Sequence, residues 1–424
     1  MEGLLKIRNK DIKVVIQNFT SLSVLQLINN LLPIATMPYL VRILGPNRYG
    51  LIAYAQAIMQ YFANFTDYGF NLTATKDISI CRDDNSKVNQ IFNAVMLIKL
   101  VFMIISFIVL CLLIFLIPAL RKEYIVYLLT FGMVVGNVIF PTWFFQGVEY
   151  MSYITIINAI TKILFTIGVF VFVKRAEDYL IVPLLYTLGF IVSGIIALRI
   201  IARKFHVRIE IPDYDIIAMQ LKKGWNVFIS TLMISFNFNS PTILLGMVTN
   251  NTIVGYYSAG EKLIRAIQRM LYPIQQATFP YASRITGKEK TDGVKFLRKL
   301  TIIIGSFTLI MSLSLLAFSG IINYLLFGPE FSSSIEVFRI LCFIIFFNTI
   351  GNIFGIQTMI VFNYEKQLTR IMILSSIINI VLSIVLSIYY KHIGCAWAVL
   401  ITELFICVST FIFINRKGIK VLRG

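Results

Sequence analysis

An apolar stretch from Ile253 to Pro280 carries four charges: Glu261, Lys262, Arg265 and Arg269. On a helix, Glu261, Arg265 and Arg269 recur every fourth residue and share a stripe, with Lys262 three residues before Arg265. The stripe is cationic, and Glu261 is placed to hold Arg265. Positive charge inside hydrocarbon is costly unless it meets water or an anion. The chemistry expected of Lys262 and Arg265 is therefore the binding of an anionic group from a cavity wall. Arg269, nearer the end of the run, fits either that wall or a reach to lipid phosphates.

Lys99 and Lys162 are placed in the same way inside the runs 91–117 and 153–173, so they join the candidate anion-binding set. Arg339 sits near the end of its run and reads as interfacial. In the run 49–72, Gln60, Asn64 and Asp67 follow Gln56 at helical spacing and share one face. This stripe could bind a coupling cation, H+ or Na+, line a path for a hydroxyl-rich cargo, pair with the basic residues, or hydrogen-bond one helix to another. Asn237 belongs with it as an uncharged donor and acceptor in the run 224–247. Arg42 and Arg48 flank a Gly-Pro-Asn turn, where they could draw an anion to the outer mouth or contact headgroups.

The elements that position these residues follow from composition. Of 424 residues, 58% are hydrophobic and 14% charged, against about 25% charged in soluble domains. The apolar residues gather in runs of about 20, each able to cross a hydrocarbon core of about 30 Å. Strict alternation, the mark of a membrane barrel, is absent. The expected fold is an all-α polytopic membrane protein with twelve spans, at 14–39, 49–72, 91–117, 125–147, 153–173, 179–200, 224–247, 253–280, 300–324, 335–361, 369–390 and 394–414. Residues 1–13, MEGLLKIRNKDIK, read as a cytoplasmic leader to the first span, since no Ala-x-Ala-like exit follows them.

Charge distribution sets the orientation. With both termini inside, 25 Lys and Arg fall in cytoplasmic segments and 7 in outer ones, which is the positive-inside pattern. The net charge of +18 is thus explained by anionic lipid surfaces, and a nucleic-acid partner is not expected. The longest polar connection after span six divides the chain into an amino-terminal six-helix lobe, 1–205, a cytoplasmic connection, 206–223, and a carboxy-terminal six-helix lobe, 224–424.

An internal repeat supports that division. Each half has Leu-Gly, a short polar turn, then Gly50 or Gly255, and six residues later Gln56 or Glu261, at an offset of 205 residues. An even number of spans in between gives the halves parallel topology. Five Cys without metal spacing and two His make a zinc site or disulfide framework unexpected. No Walker A sequence, zinc motif or nucleophile elbow occurs, so neither an enzyme nor a direct ATP-driven pump is expected.

PYLVRILGP, YGLIAYAQAIMQYF and TDYGFNLTATKDIS, with FPTWFFQG at 140–147 and YYSAGEKLIRAIQRMLYPIQQATFPYASR at 256–284, resemble the Wzx flippases. These carry O-antigen and polysaccharide repeat units within the multidrug/oligosaccharidyl-lipid/polysaccharide superfamily. The resemblance implies two six-helix bundles around a central cavity in the bacterial inner (cytoplasmic) membrane, working by alternating access coupled to a proton or sodium gradient, with no cofactor. It implies as substrate an undecaprenyl-pyrophosphate-linked oligosaccharide flipped to the periplasmic leaflet, and as neighbours membrane lipid, a polysaccharide polymerase and a chain-length regulator. An exporter of another lipid-linked glycan (capsule, teichuronic acid or common antigen) would share these motifs. A cation-coupled multidrug antiporter would instead call for an acidic cavity, and a scaffold for biosynthetic enzymes would need no cavity.

Overall fold

The computed structural model describes the backbone of residues 9–419 and 421, with side chains described from residue 32 apart from 33, 34, 234 and 237. Among the described residues all the regular secondary structure is helical. Helices α1 (Asn9–Asp67), α2 (Phe70–Cys81), α3 (Asn85–Leu116), α4 (Pro118–Lys122), α5 (Tyr124–Ile139), α6 (Thr142–Gly147), α7 (Met151–Phe172) and α8 (Ile181–Lys204) form the first half. They are followed by α9 (Tyr214–Val248), α10 (Asn251–Arg269), α11 (Tyr272–Lys288), α12 (Lys290–Ala317), α13 (Ser319–Phe327), α14 (Ser334–Phe354) and α15 (Glu365–Arg416), with a π-helical turn at Gly355–Ile360.

Seven helical stretches among the described residues, or eight counting a bent pair, are long and apolar enough to cross a membrane. The chain is accordingly an all-α, multi-pass membrane protein. On α3 the outward residues Ile104, Ile108, Leu112 and Phe115 form an exposed apolar stripe, while Lys99, Ser106 and Leu110 are buried. Apolar side chains outward and polar ones inward is the arrangement a lipid solvent selects.

The breaks have identifiable causes. Within α1, Gly45 takes φ 66°, ψ 173°, a conformation open to glycine and strained for other residues; it separates the runs 14–39 and 49–72 as the sequence leads one to expect. Lys391, at φ 51°, ψ −130°, interrupts α15 between the runs 369–390 and 394–414. Four expected runs are less continuous than their apolar character suggests. The run 49–72 breaks at Tyr68 and Gly69 between α1 and α2, and the run 300–324 breaks at Phe318 between α12 and α13. The run 253–280 is not one helix: it breaks at Met270 and Leu271, between α10 and α11, where Pro273 sits in the first turn of the second piece. The run 125–147 breaks at Phe140 and Pro141, because proline cannot donate to the preceding turn.

Two compact units result. The first comprises residues 1–36 and 58–232, the second residues 37–57 and 233–424. The first has an aromatic core in which Phe70, Trp143, Phe144 and Phe145 are fully buried. In the second, α10, α12 and α15 pack on α14. The halves of the sequence repeat meet inside this unit. Asn47 Nδ2 donates to Thr252 Oγ1 at 3.3 Å, and Gly50 lies so close to α10 that a Cβ there would come within 1.8 Å of the Asn251 carbonyl oxygen and 2.6 Å of the Gly255 nitrogen.

Candidate functional site

Each unit holds a cluster of polar groups. In the first, the last two turns of α1 present Gln60, Asn64 and Asp67 to a cavity of about 290 Å³, closed by Gly69, Asn71, Asn137, Val227 and Thr231 among others. The chain can turn there because Tyr68 and Gly69 both take positive φ, 47° and 81°, ending α1 and sending α2 away with Asn71 back toward Asp67.

The hydrogen bonds run along one line. Gln60 Nε2 donates to Asn64 Oδ1 at 3.2 Å, Asn71 Nδ2 donates to Asp67 Oδ1 at 2.8 Å, and Thr142 Oγ1 donates to Asn71 Oδ1 at 3.1 Å. Lys99 of α3 reaches the same carboxylate, Nζ to Oδ1 3.4 Å, with its side chain 1% exposed and that of Asp67 13%. Such a pair holds because each charge neutralises the other in a place water scarcely enters; either alone would be strongly unfavourable. The cavity is therefore lined by four amide side chains, the Thr231 hydroxyl and the apolar Ala63, Leu72 and Val227 around one neutralised carboxylate. That surface suits many modest hydrogen bonds to hydroxyl groups.

The second cluster is built on α10, whose first turn is capped by Asn250 Oδ1 accepting from Ile253 N at 3.1 Å. Arg265 Nε donates to Glu261 Oε1 at 3.0 Å, the two side chains 13% and 11% exposed, and the guanidinium stacks 4.6 Å over the Phe238 ring. Lys262 Nζ donates to Gln56 Oε1 at 3.0 Å and lies 5.3 Å over the Tyr49 ring. Thr242 Oγ1 donates to the other Glu261 oxygen at 3.5 Å. Arg265 Nη1 is buried without a hydrogen-bond partner among the described residues. A guanidinium edge left unmatched in this way can take an anionic oxygen at little cost in competing bonds.

Glu403 on α15 also bears on this cluster. It accepts from Asn348 Nδ2 at 3.1 Å and interacts electrostatically with Arg265. The sequence reading passed over it, although a lone carboxylate in ITELFICV is as conspicuous as the in-span cations. Asn71 and Thr231 also line the first cavity without a sequence signal of their own.

The other expected residues lie apart from these clusters. Arg269 is the exposed last residue of α10. Lys162 is half-buried on α7, and Arg48 is half-buried. Arg42 turns onto the carboxyl end of α13, where Nε donates to the Leu326 carbonyl at 3.0 Å and Nη2 to those of Leu325 and Tyr324. Asn237 lies outside the residues whose side chains are described. Among the described residues no three of His, Cys, Asp and Glu gather as a metal site would require.

Residues 15–286 match the family model described as polysaccharide biosynthesis protein. Over 409 residues the chain is 32% identical to a protein of Escherichia coli (strain K12) described as "Putative O-antigen transporter", covering 96% of this chain and 98% of that one. Its fold is similar to that of the inward-facing conformation of a multidrug resistance MATE family transporter of the MOP superfamily, with a TM-score of 0.71 at 12% identity, covering 96% of this chain and 100% of that one. It is also similar to the lipid II flippase MurJ in its inward closed conformation, with a TM-score of 0.69 at 14% identity, covering 97% and 90%.

Proposed function

Since the chain belongs to the polysaccharide biosynthesis protein family, we infer that it is a flippase that moves an undecaprenyl-pyrophosphate-linked O-antigen or related oligosaccharide unit from the cytoplasmic to the periplasmic leaflet. The observation that carries this reading is the buried cationic stripe of α10. Lys262 and Arg265 bring two positive charges into an apolar segment; Glu261 pairs with Arg265 and Glu403 acts on it electrostatically, while Lys262 donates to the neutral amide of Gln56. Lys262, whose hydrogen-bond acceptor is a neutral amide, and the unmatched Nη1 edge of Arg265 are the groups a pyrophosphate can engage there.

The sugars call for a different surface, and the amide-lined cavity of Gln60, Asn64, Asp67 and Asn71 offers one. In this reading Lys262 and Arg265 bind the pyrophosphate, with Arg269 and Lys162 as further cations on its route; Lys99, expected among them from the sequence, is buried against Asp67 and serves to neutralise it. Gln56, Gln60, Asn64 and Asn237 serve the sugar path, Asp67 and Glu261 are the carboxylates available to a coupling H+ or Na+, and Arg42 and Arg48 lie at the outer mouth. The architecture proposed for the task is twelve spans in two six-helix bundles, 1–205 and 224–424, joined by the connection 206–223. Both termini lie on the cytoplasmic side of a bacterial inner membrane. Transport proceeds by alternating access, and polymerase and chain-length regulator act on the product outside.

The test is reconstitution in liposomes with a fluorescent pyrophosphoryl-linked oligosaccharide and an imposed proton or sodium gradient. Protein-dependent crossing between leaflets is expected, reduced at least tenfold by Arg265→Met with membrane insertion unchanged. A tenfold loss corresponds to about 1.4 kcal/mol at the limiting step. No crossing under either gradient would refute the reading, and full activity of Arg265→Met would remove Arg265 from it.

A further inference from the structure

The segment between α8 and α9 takes no part in the proposed transport chemistry, yet its path is closely fixed. Residues 206–213 are not helical, and their backbone is tied to the first turns of α3. Asn89 Oδ1 accepts from Arg208 N at 2.8 Å, Asn93 Nδ2 donates to Arg208 O at 2.8 Å, and Asn93 Oδ1 accepts from Glu210 N at 3.3 Å. Farther along, Gln90 Nε2 donates to Asp213 Oδ2 at 3.5 Å. Two asparagines one turn apart thus do for this segment what a neighbouring strand would do.

In extended backbone, alternate residues share a face. Val207 uses that face to pack on the aromatic core that includes Phe144 and Phe145. Ile209 and Ile211, the next two positions in the alternation, run past the edge of the protein and stand 98% and 97% exposed.

Their depth relative to the bilayer follows from their surroundings. At the end of α8, Lys204 Nζ lies 4.8 Å over the rings of both Tyr150 and Tyr153, and Phe205 packs edge-on to Tyr150 at 5.4 Å. Tyrosine rings with a lysine among them are the composition of a membrane–water boundary. The exposed apolar face of α3 begins at Leu97, one helical turn beyond Asn93. The segment therefore lies between an aromatic girdle and the start of the lipid-facing surface. Arg203 and Arg208 are exposed here, and so are Glu210, Asp213 and Asp215, so the apolar pair rather than net charge is what would hold the segment at the boundary.

We propose that residues 206–213 form an interfacial strap that seats Ile209 and Ile211 at the acyl boundary of the bilayer. The occupant of this apolar face is lipid. The strap ties the start of α9 to the bilayer surface as well as to α3, and does so whatever cargo the protein carries.

The test uses the full chain in proteoliposomes. In a Cys81→Ser/Cys111→Ser background, nitroxide labels are placed singly at Ile209→Cys, Ile211→Cys and Glu210→Cys. Collision with oxygen, which concentrates in lipid, is compared with collision with a water-soluble nickel chelate. Oxygen access should exceed nickel access several-fold at 209 and 211, with the order reversed at 210. Nickel-dominated access at both isoleucine positions would overturn the proposal, and so would shielding from both relaxants, which would mean a protein contact.

Discussion

Removing the negative charge of Asp67 should strand Lys99, and the size of the effect can be worked out. The ammonium and carboxylate are 3.4 Å apart, with side chains 1% and 13% exposed. At an effective dielectric of about 20 the attraction is about 5 kcal/mol before desolvation is subtracted. Breaking a buried pair from one side costs about 3–5 kcal/mol, because the survivor stays buried and charged. Asp67→Asn isolates the charge, since an amide oxygen can still accept from Asn71, which bonds the carboxylate at 2.8 Å. Lys99→Met removes the partner at similar volume. Each single variant should lose about 3 kcal/mol in reversible unfolding in mixed micelles, while the double variant should lose far less than the sum, with a coupling energy of about 2–3 kcal/mol. Additivity within about 0.5 kcal/mol would refute the argument, because it would mean that the two charges do not depend on each other.

Gly50→Ala should be among the most damaging small substitutions. The added carbon would meet the Asn251 carbonyl at 1.8 Å, so α1 and α10 must separate, at a cost at or above the usual 1–3 kcal/mol of overpacking; thermal unfolding in detergent reads it. Arg42→Met should free the carboxyl end of α13 at a cost of about 1 kcal/mol or less, given the exposure of the side chain, seen as faster amide exchange in Ser319–Phe327. At the start of α3, Asp84 accepts from the Lys87 backbone N–H, and that bond, followed by the Lys87 side chain, holds its carboxyl below the ordinary value. A lowered native value means that the stabilisation is present above the usual carboxylate range and is lost as pH falls through the native value. Protection at the start of α3, taken as the exchange rate relative to that of a free amide at the same pH, should therefore fall on acidification in the wild type and lose that dependence in Asp84→Ala.

Charged and amide residues in apolar runs were legible from the sequence because the bilayer makes them costly wherever they occur. That argument singled out Asp67 and Lys99 separately. Their pairing was not legible, since 32 residues lie between them and helical spacing orders only near neighbours. The turn at Gly45 was readable from Gly-Pro-Asn. The break after Arg269 was not, because Met270 and Leu271 are as apolar as their neighbours and only Pro273 hints at it. Periodicity also does not say which helices a segment will join. Residues 37–57 pack with the carboxy-terminal segments and residues 214–232 with the amino-terminal ones, a matter of long-range packing that no local pattern records.

The contacts of Asn47 with Thr252 and of Gly50 with Gly255 join positions that are equivalent in the repeat. A patch that meets its own counterpart is the geometry of an isologous dimer interface, here within one chain. In two identical subunits any substitution in such a patch appears on both sides at once, so a cation introduced near the axis would face a copy of itself. Fusion of the copies lifts that constraint. It permits Gln56 on one side and Glu261 on the other, with the Gln56 amide oxygen free to receive Lys262 at 3.0 Å. The chemical inequality at this seam, a neutral Gln56 amide on one side and the charged Glu261, Lys262 and Arg265 on the other, is a freedom that two identical subunits would lack.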